Sequence, residues 1–289
     1  MALRPALAVF FTILFWGTSF TGIRMALDGF SPGPLAMLRF TIASLVLWSI
    51  ALVQPVAPPA LRDLPRLALL GAIGITTYHL CLNFGQQTVA PGTTALLIQT
   101  APVFTAVFAH LAGIERLRAA ILPGIALALA GTAILVVGQG RTVEFTLAAL
   151  AILTSAVCTA VYFLFQRDLA TQLGVRAVTT WTLTFGTLPL WIFAPAAAAQ
   201  LPQASPTALG ALVYIGIFPA ALAYLLWNWA VHQLGASRTM MFLYLSPVVA
   251  MLSEWWLIGQ VPAPLALVGG VVTIAGVGWV NRVRAASKG

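Results

Sequence analysis

The chain has 289 residues, 61% of them hydrophobic and only 7% charged, against roughly a quarter charged in an ordinary soluble domain. That composition excludes a soluble protein. Fourteen basic residues against six acidic ones leave a net charge of +8, yet they are spread over short connectors and form no continuous patch, so the excess reads as membrane topology and not as nucleic-acid binding.

A helix crosses the hydrocarbon layer with about 20 largely apolar residues. Apolar runs punctuated by Gly, Pro and Arg predict ten spans, near residues 5–26, 33–53, 66–88, 92–112, 119–138, 145–166, 177–196, 207–231, 237–258 and 263–282. The first, with Arg4 ahead of it, resembles a signal peptide, but its apolar stretch is too long and a second span follows almost at once. It is therefore expected to remain as an uncleaved helix carrying Thr12, Trp16, Gly17 and Ser19 on or near one face. The second span holds Pro34 and Arg39; Arg39 is the only candidate cation for a phosphate-bearing cargo in the cavity, but it lies one or two turns from the outer end and is expected to snorkel to the interface.

The third span repeats polar residues at steps of three and four: Thr76, His79, Asn83 and Gln86, with Tyr78 beside them. The fourth contains Gln99 and Pro102. In the fifth, Ala120, Gly124, Ala128 and Gly131 line one face, a spacing that lets helices approach closely. The sixth carries Ser155, Thr159, Tyr162 and Gln166 as a stripe, and the seventh contains Pro189. The eighth places Tyr224, Trp227, Asn228 and His232 similarly after Pro219. The ninth contains Tyr244 and Pro247, and the tenth matches the fifth with Leu265, Gly269, Thr273 and Gly276. Pro102 and Pro247 are expected to kink their helices or act as hinges. Gly124, Gly131, Gly269 and Gly276 are expected to serve helix packing.

The connectors alternate in charge. One side collects Arg4, Arg62, Arg66, Arg116, Arg118, Arg167, Arg176, Arg238, Arg282, Arg284 and Lys288, and the other only Arg24 and Arg141. By the positive-inside rule both termini are expected in the cytoplasm, which needs an even number of spans. Sliding the sequence by 145 residues superimposes Asn83 on Asn228, Thr94 on Thr239, Pro102 on Pro247, Val103 on Val248, Gly124 on Gly269, Ala130 on Ala275 and Gly131 on Gly276. Five helices is an odd number, so two copies would enter the membrane in opposite directions. The expected fold is all-α and integral to the membrane: ten transmembrane helices as two inverted five-helix repeats, 1–140 and 141–289, as in secondary transporters that hold substrate between the repeats.

The run from Gly235 through Met240, Tyr244 and Pro247 to Ala250, then Ile258-Gly-Gln260, Leu267 to Gly270 and Ala275 to Gly278, resembles the C-terminal signature of the drug/metabolite transporter superfamily, specifically its ten-helix EamA-type exporters. Ala101-Pro102-Val-Phe104, Gly113-Ile-Glu115-Arg-Leu117, Pro123-Gly124 and Ala130-Gly131 repeat it in the first half. Trp16-Gly17-Thr-Ser-Phe20, Pro34 and Arg39 match as well. Gln260 departs from the pattern, standing where the first half has Glu115. The resemblance implies an exporter of small metabolites with a central cavity built from helices one to four and six to nine, and helices five and ten outside it. In character the chain is closest to the aromatic amino-acid exporters.

Intramembrane polar residues are costly enough to mark function or interhelical glue. Both readings stay open for Thr76, Ser155, Thr159, Asn83 and Asn228. The candidate substrate-binding set is Trp16, Tyr78, His79, Asn83, Gln99, Tyr162, Tyr224, Trp227, Asn228 and Tyr244. Trp191, Trp255, Trp256 and Trp279 fall near span ends and read as interfacial anchors. No Asp or Glu falls in mid-span: Asp28, Asp63, Glu115, Glu144 and Asp168 lie in connectors, and Glu254 near the outer end of the ninth span. That disfavours organic cations as main cargo. An aromatic, mostly neutral cavity suits a small zwitterion with an apolar side chain, so hydrophobic or aromatic amino acids are the expected substrates. Other neutral metabolites or drugs are the alternative, and a receptor or scaffold without transport is a different class. Cys81 and Cys158 show neither metal nor redox spacing. No catalytic residue, cofactor or metal is expected, nor any enzyme activity. The expected partners are the small molecule and the lipid bilayer; a monomer suffices, and a homodimer is the alternative. With no transit or retention signal, the expected home is a bacterial cytoplasmic membrane.

Overall fold

A computed structural model describes residues 3–89, 91–114, 119–138, 146–259, 261 and 263–286. The connector positions Glu115, Arg116, Arg118, Arg141, Glu144, Gln260 and Lys288, and the expected boundary between 140 and 141, lie outside the described residues, as do the side chains of Glu254 and Arg284. The described residues form helices joined by short connectors and contain no strand. Eight helices are long and apolar enough to cross a membrane, and two shorter apolar helices, Ala119–Ile134 and Pro264–Val280, accompany them. An apolar run has no water to pair its peptide groups in hydrocarbon, so it must close its hydrogen bonds within itself as a helix.

The segments are α1 (Leu3–Ala26), α2 (Pro32–Val53), α3 (Leu61–Gln86), α4 (Thr93–Leu111), α5 (Leu122–Gly138), α6 (Leu147–Leu173), α7 (Val175–Gln203), α8 (Pro206–Leu234), α9 (Arg238–Leu257) and α10 (Pro264–Ala286). Local chemistry starts and stops them. Ser205 and Thr146 accept hydrogen bonds from the third residues of α8 and α6, Ala208 and Ala149, relieving donors that a helix start leaves unpaired. Gly174 and Gly235, at φ +86° and +88°, end α6 and α8 in the left-handed region where a side chain is strained.

Five of the described segments are not uniform α-helix, α7 among them for its 3-10 stretch at Leu188–Phe193. In α3 the stretch Ala72–Thr77 is π-helical, and in α8 so is Phe218–Leu222; a shift of 145 brings these turns onto each other. α4 is interrupted at Gln99 and Thr100, and α9 runs as a 3-10 turn over Met241–Leu245. Pro102 and Pro247 stand in the first turn of the α-helix that resumes after each interruption, where a missing N–H is harmless.

Packing contacts come in pairs related by the same shift. α3 packs on α6 as α8 packs on α1, α4 on α6 as α9 on α1, and α3 on α7 as α8 on α2. α2 with α7, and α5 with α10, are their own counterparts. Lipid tails are as apolar as leucine, so close backbone approach and polar contacts must hold such a bundle together. The α5–α10 seam relies on small residues. A Cβ on Gly276 would sit 2.5 Å from the Ala128 nitrogen, one on Gly124 would meet Val280 at 2.6 Å, and one on Gly131 would overlap the Thr273 backbone. Thr132 and Thr273 share a hydroxyl contact of 3.3 Å across the seam, and Thr273 donates to the carbonyl of Gly269. Leu127, Leu265, Val271 and Ile274 are exposed on these helices, as a lipid-facing surface requires.

Candidate substrate site at the centre of the bundle

The π-turns lie beside a small central cavity. The turn in α3 ends immediately before Tyr78 and His79, and the turn in α8 ends at Leu222, two residues before Tyr224. In α8 the cause is legible: Pro219 has no N–H for the carbonyl of Ile215, four residues earlier. Arg39 Nε donates to that carbonyl at 3.3 Å, and Trp16 Nε1 donates to the carbonyl of Pro219 itself at 3.0 Å. In α3 the position matching Pro219 is Gly74, whose bare Cα admits the ring of Tyr162; Thr76 donates to the carbonyl of Gly186 at 2.6 Å.

The cavity measures about 40 Å³, and its walls include Trp16, Arg39, Tyr78, His79, Phe163 and Tyr224. Ser19, Thr159 and Ser246 supply hydroxyls to the same walls, and Phe20, Leu82, Ile98 and Leu243 supply apolar surface. This space holds a few water molecules. Pockets for drug-sized ligands measure roughly 300–1,000 Å³, so this cavity must widen before it admits such a molecule.

A buried polar chain runs through the walls. Arg39 Nη1 lies 3.5 Å from His79 Nδ1, and His79 Nε2 lies 3.2 Å from the Tyr224 hydroxyl. A guanidinium only donates, so Nδ1 accepts, the imidazole proton sits on Nε2, and Nε2–H donates to the Tyr224 oxygen. Phe40 lies against the chain, its ring centroid 5.4 Å from the Arg39 guanidinium carbon and 4.3 Å from the His79 ring. Arg39 does not snorkel: it is 2% exposed. The expectation failed because it counted turns from the helix end and overlooked the carbonyl that Pro219 leaves in want of a donor.

Of the ten candidate residues, the structure brings Trp16, Tyr78, His79 and Tyr224 to the cavity wall. Trp227 and Tyr162 stand one layer behind. Trp227 packs on Trp16 with centroids 5.0 Å apart, and Tyr162 lies 6.1 Å from Tyr224 while its hydroxyl meets Thr182 at 2.9 Å. The other four face helix contacts and not the cavity. Asn83 donates to the carbonyl of Pro32 at 3.0 Å, tying α3 to the start of α2. Asn228 donates to Thr179 at 2.7 Å and accepts from Gln166 at 2.6 Å, tying α8 to α7 and α6. Gln99 donates to Ser246 at 2.8 Å, joining α4 to α9. Tyr244 is buried with Ile121, Ile125 and Val277 against α5 and α10.

Sequence reasoning weighed Arg39 for the cavity but sent it to the interface, and it overlooked Phe163 as a wall residue. Phe163 follows Tyr162, and consecutive helical residues point about 100° apart, so a stripe drawn through Tyr162 passes it by. The described residues contain no cluster of His, Cys, Asp or Glu suited to a metal ion. Their one ion pair is Arg62 with Asp63, far along the chain from the cavity residues of α3.

Comparison with known proteins matches this architecture to transporters. The EamA-like transporter family matches residues 3–137 and again 146–282. Among curated relatives, the uncharacterized transporter YdfC of Bacillus subtilis is 34% identical over 91% of this chain and 86% of its own length. The probable terminal-alkyne amino-acid exporter of Streptantibioticus cattleyicolor is 36% identical over 95% of this chain and 92% of its own. The uncharacterized inner membrane transporter YedA of Escherichia coli is 26% identical over 85% and 80%. A solved crystal structure covers 99% of both chains with a TM-score of 0.76 at 21% identity, a likeness of fold alone.

Proposed function

Given that the chain belongs to the EamA-like transporter family, and so is a membrane transporter and not an enzyme, we propose that it exports aromatic and other hydrophobic amino acids by alternating access. It is a multi-pass protein of the bacterial inner membrane, like its relative YedA. The observation that carries the substrate reading is the cavity wall: aromatic rings from Trp16, Tyr78, Phe163 and Tyr224, with no carboxylate among its residues. Rings of this kind cover an apolar side chain and attract an ammonium group to their faces. One relative is named a probable terminal-alkyne amino-acid exporter, which agrees with an amino acid as cargo.

The proposed architecture is ten crossings in two inverted halves, 1–140 and 141–289, with both termini in the cytoplasm. The paired packing contacts and the matching π-turns of α3 and α8 support it. On this reading Trp16, Tyr78, His79 and Tyr224 touch cargo, and Trp227 and Tyr162 back them. Asn83, Asn228, Gln99 and Tyr244 approach cargo only if the wall rearranges on opening. The interruptions before Pro102 and Pro247 are the proposed hinges, because a helix already broken there bends without losing a further hydrogen bond.

The test is efflux from proteoliposomes preloaded with radiolabelled tryptophan, phenylalanine, leucine or glutamate, using wild type, Trp227→Ala and Tyr78→Ala. Release of the three apolar amino acids but not glutamate, weakened several-fold by both substitutions, is the expected result. Absence of protein-dependent release for all of them overturns the substrate reading and directs attention to other neutral metabolites or drugs.

A further inference from the structure

We infer that Arg39 is the anion receptor of the central cavity, and that the cargo is held there by a carboxylate. The inference rests on the reading of this cavity as the export site and names the chemical group recognised in it. Arg39 is 2% exposed and lines the cavity, and its guanidinium carries a full positive charge. A charge at such depth costs several kcal/mol unless it is paired. The described residues offer it the carbonyl of Ile215, Nδ1 of His79 and the face of Phe40, all neutral groups. The cavity wall contains no Asp or Glu. Of the five guanidinium N–H groups, two have described acceptors, and three are left for another acceptor.

The neighbours are arranged for an anion. Because the Tyr224 oxygen accepts from His79 Nε2, its own hydroxyl hydrogen is left to donate, and no acceptor for it appears among the described residues. Arg39 and Tyr224, both wall residues, thus bring spare donors and no competing acceptor charge. A carboxylate takes a planar guanidinium fork through two parallel hydrogen bonds, which a lone amine or an amide nitrogen does not. The remaining wall is aromatic and apolar. A cargo that satisfies both parts bears one carboxylate and one apolar group, and an amine is secondary for holding it.

The experiment titrates the purified full-length protein in lipid nanodiscs with L-phenylalanine, 3-phenylpropionate and phenethylamine, following tryptophan fluorescence, to which Trp16 and Trp227 beside the cavity contribute. Wild type is expected to bind the two carboxylates about tenfold or more tightly than the amine. Arg39→Gln is expected to reduce that preference to within about twofold, with Arg39→Lys falling between. Thermal unfolding of each variant is measured alongside, because Arg39 also ties α2 to α8 through the Ile215 carbonyl. A purely structural role predicts a lower melting temperature with the carboxylate preference intact, and that outcome overturns the inference. So does a wild type that prefers phenethylamine, or one that binds neither carboxylate. Should phenylpropionate bind in an Arg39-dependent way while liposomes release no amino acid, the anion site stands and the amino-acid export reading fails.

Discussion

His79 and Tyr224 touch through a 3.2 Å contact between Nε2 and the hydroxyl, and they stand 145 residues apart, the shift that relates the two proposed halves. Each is therefore in contact with its own counterpart. Equivalent residues meet only near the axis that relates the copies, so on the proposed reading this contact lies on the axis between the halves. A group that links the halves there is broken or remade whenever they rock apart. Tyr224→Phe removes the hydroxyl and keeps the ring. The expected stability loss is small, about 0.6 kcal/mol, as for other hydrogen bonds between membrane helices, while the rate of efflux changes several-fold. Unaltered efflux together with an unaltered melting temperature would show that the contact is idle.

Trp16 closes the π-turn of α8 through its bond to the Pro219 carbonyl. Trp16→Phe keeps an aromatic wall but leaves that carbonyl without its indole donor. Hydrogen exchange is expected to quicken in residues 218–224 and remain as before in the matching turn at 72–77, which Trp16 does not serve. Equal exchange in both turns would mean that the indole bond does not hold α8.

The α5–α10 seam leaves no room for a larger residue. Gly276→Leu would drive a side chain into the Ala128 backbone, and overpacking of this kind costs about 1–3 kcal/mol or more when backbone cannot yield. Gly278→Leu, two residues on and with open space at its Cα, is the control. Size-exclusion profiles are expected to show loss of the monodisperse peak for the first and an unchanged peak for the second.

Tyr244 is buried with a hydroxyl that finds no partner among the described residues. Leaving such a group unpaired costs about 1–3 kcal/mol. Tyr244→Phe is accordingly expected to raise the melting temperature and leave efflux intact; a drop in efflux would instead place this residue on the transport path.

The proposed orientation puts Ser31 outside and Ala57 inside, both in exposed connectors. In a background of Cys81→Ser and Cys158→Ser, a membrane-impermeant maleimide is expected to label Ser31→Cys in intact cells. Ala57→Cys should react only after permeabilisation. The reverse pattern would invert the topology.

The helices were legible because hydropathy depends on composition, and composition is written in the sequence. The polar stripe of α3 likewise led to His79 and Thr76. Arg39 was not legible, since the carbonyl that it serves is 176 residues away and becomes needy only once Pro219 sits in a helix beside it. Gln99 and Tyr244 were paired by the 145 shift and given one role. The fold separates them, because Gln99 turns to Ser246 whereas Tyr244 meets the α5–α10 pair. A shift relates positions on equivalent helices; it does not require the two copies of a position to have the same neighbours once the sequences differ. The π-turns had half a signal, a proline in α8 and none in α3.

The glycine seam also bears on how a lipophilic molecule reaches this protein. Many such molecules partition into the bilayer and diffuse sideways into the proteins that bind them. Between α5 and α10 the backbones approach closely from Gly124 and Gly276 at one end to Gly138 and Ala266 at the other, so no acyl chain or dissolved solute slips between them. On that flank the bilayer is a wall and not a reservoir.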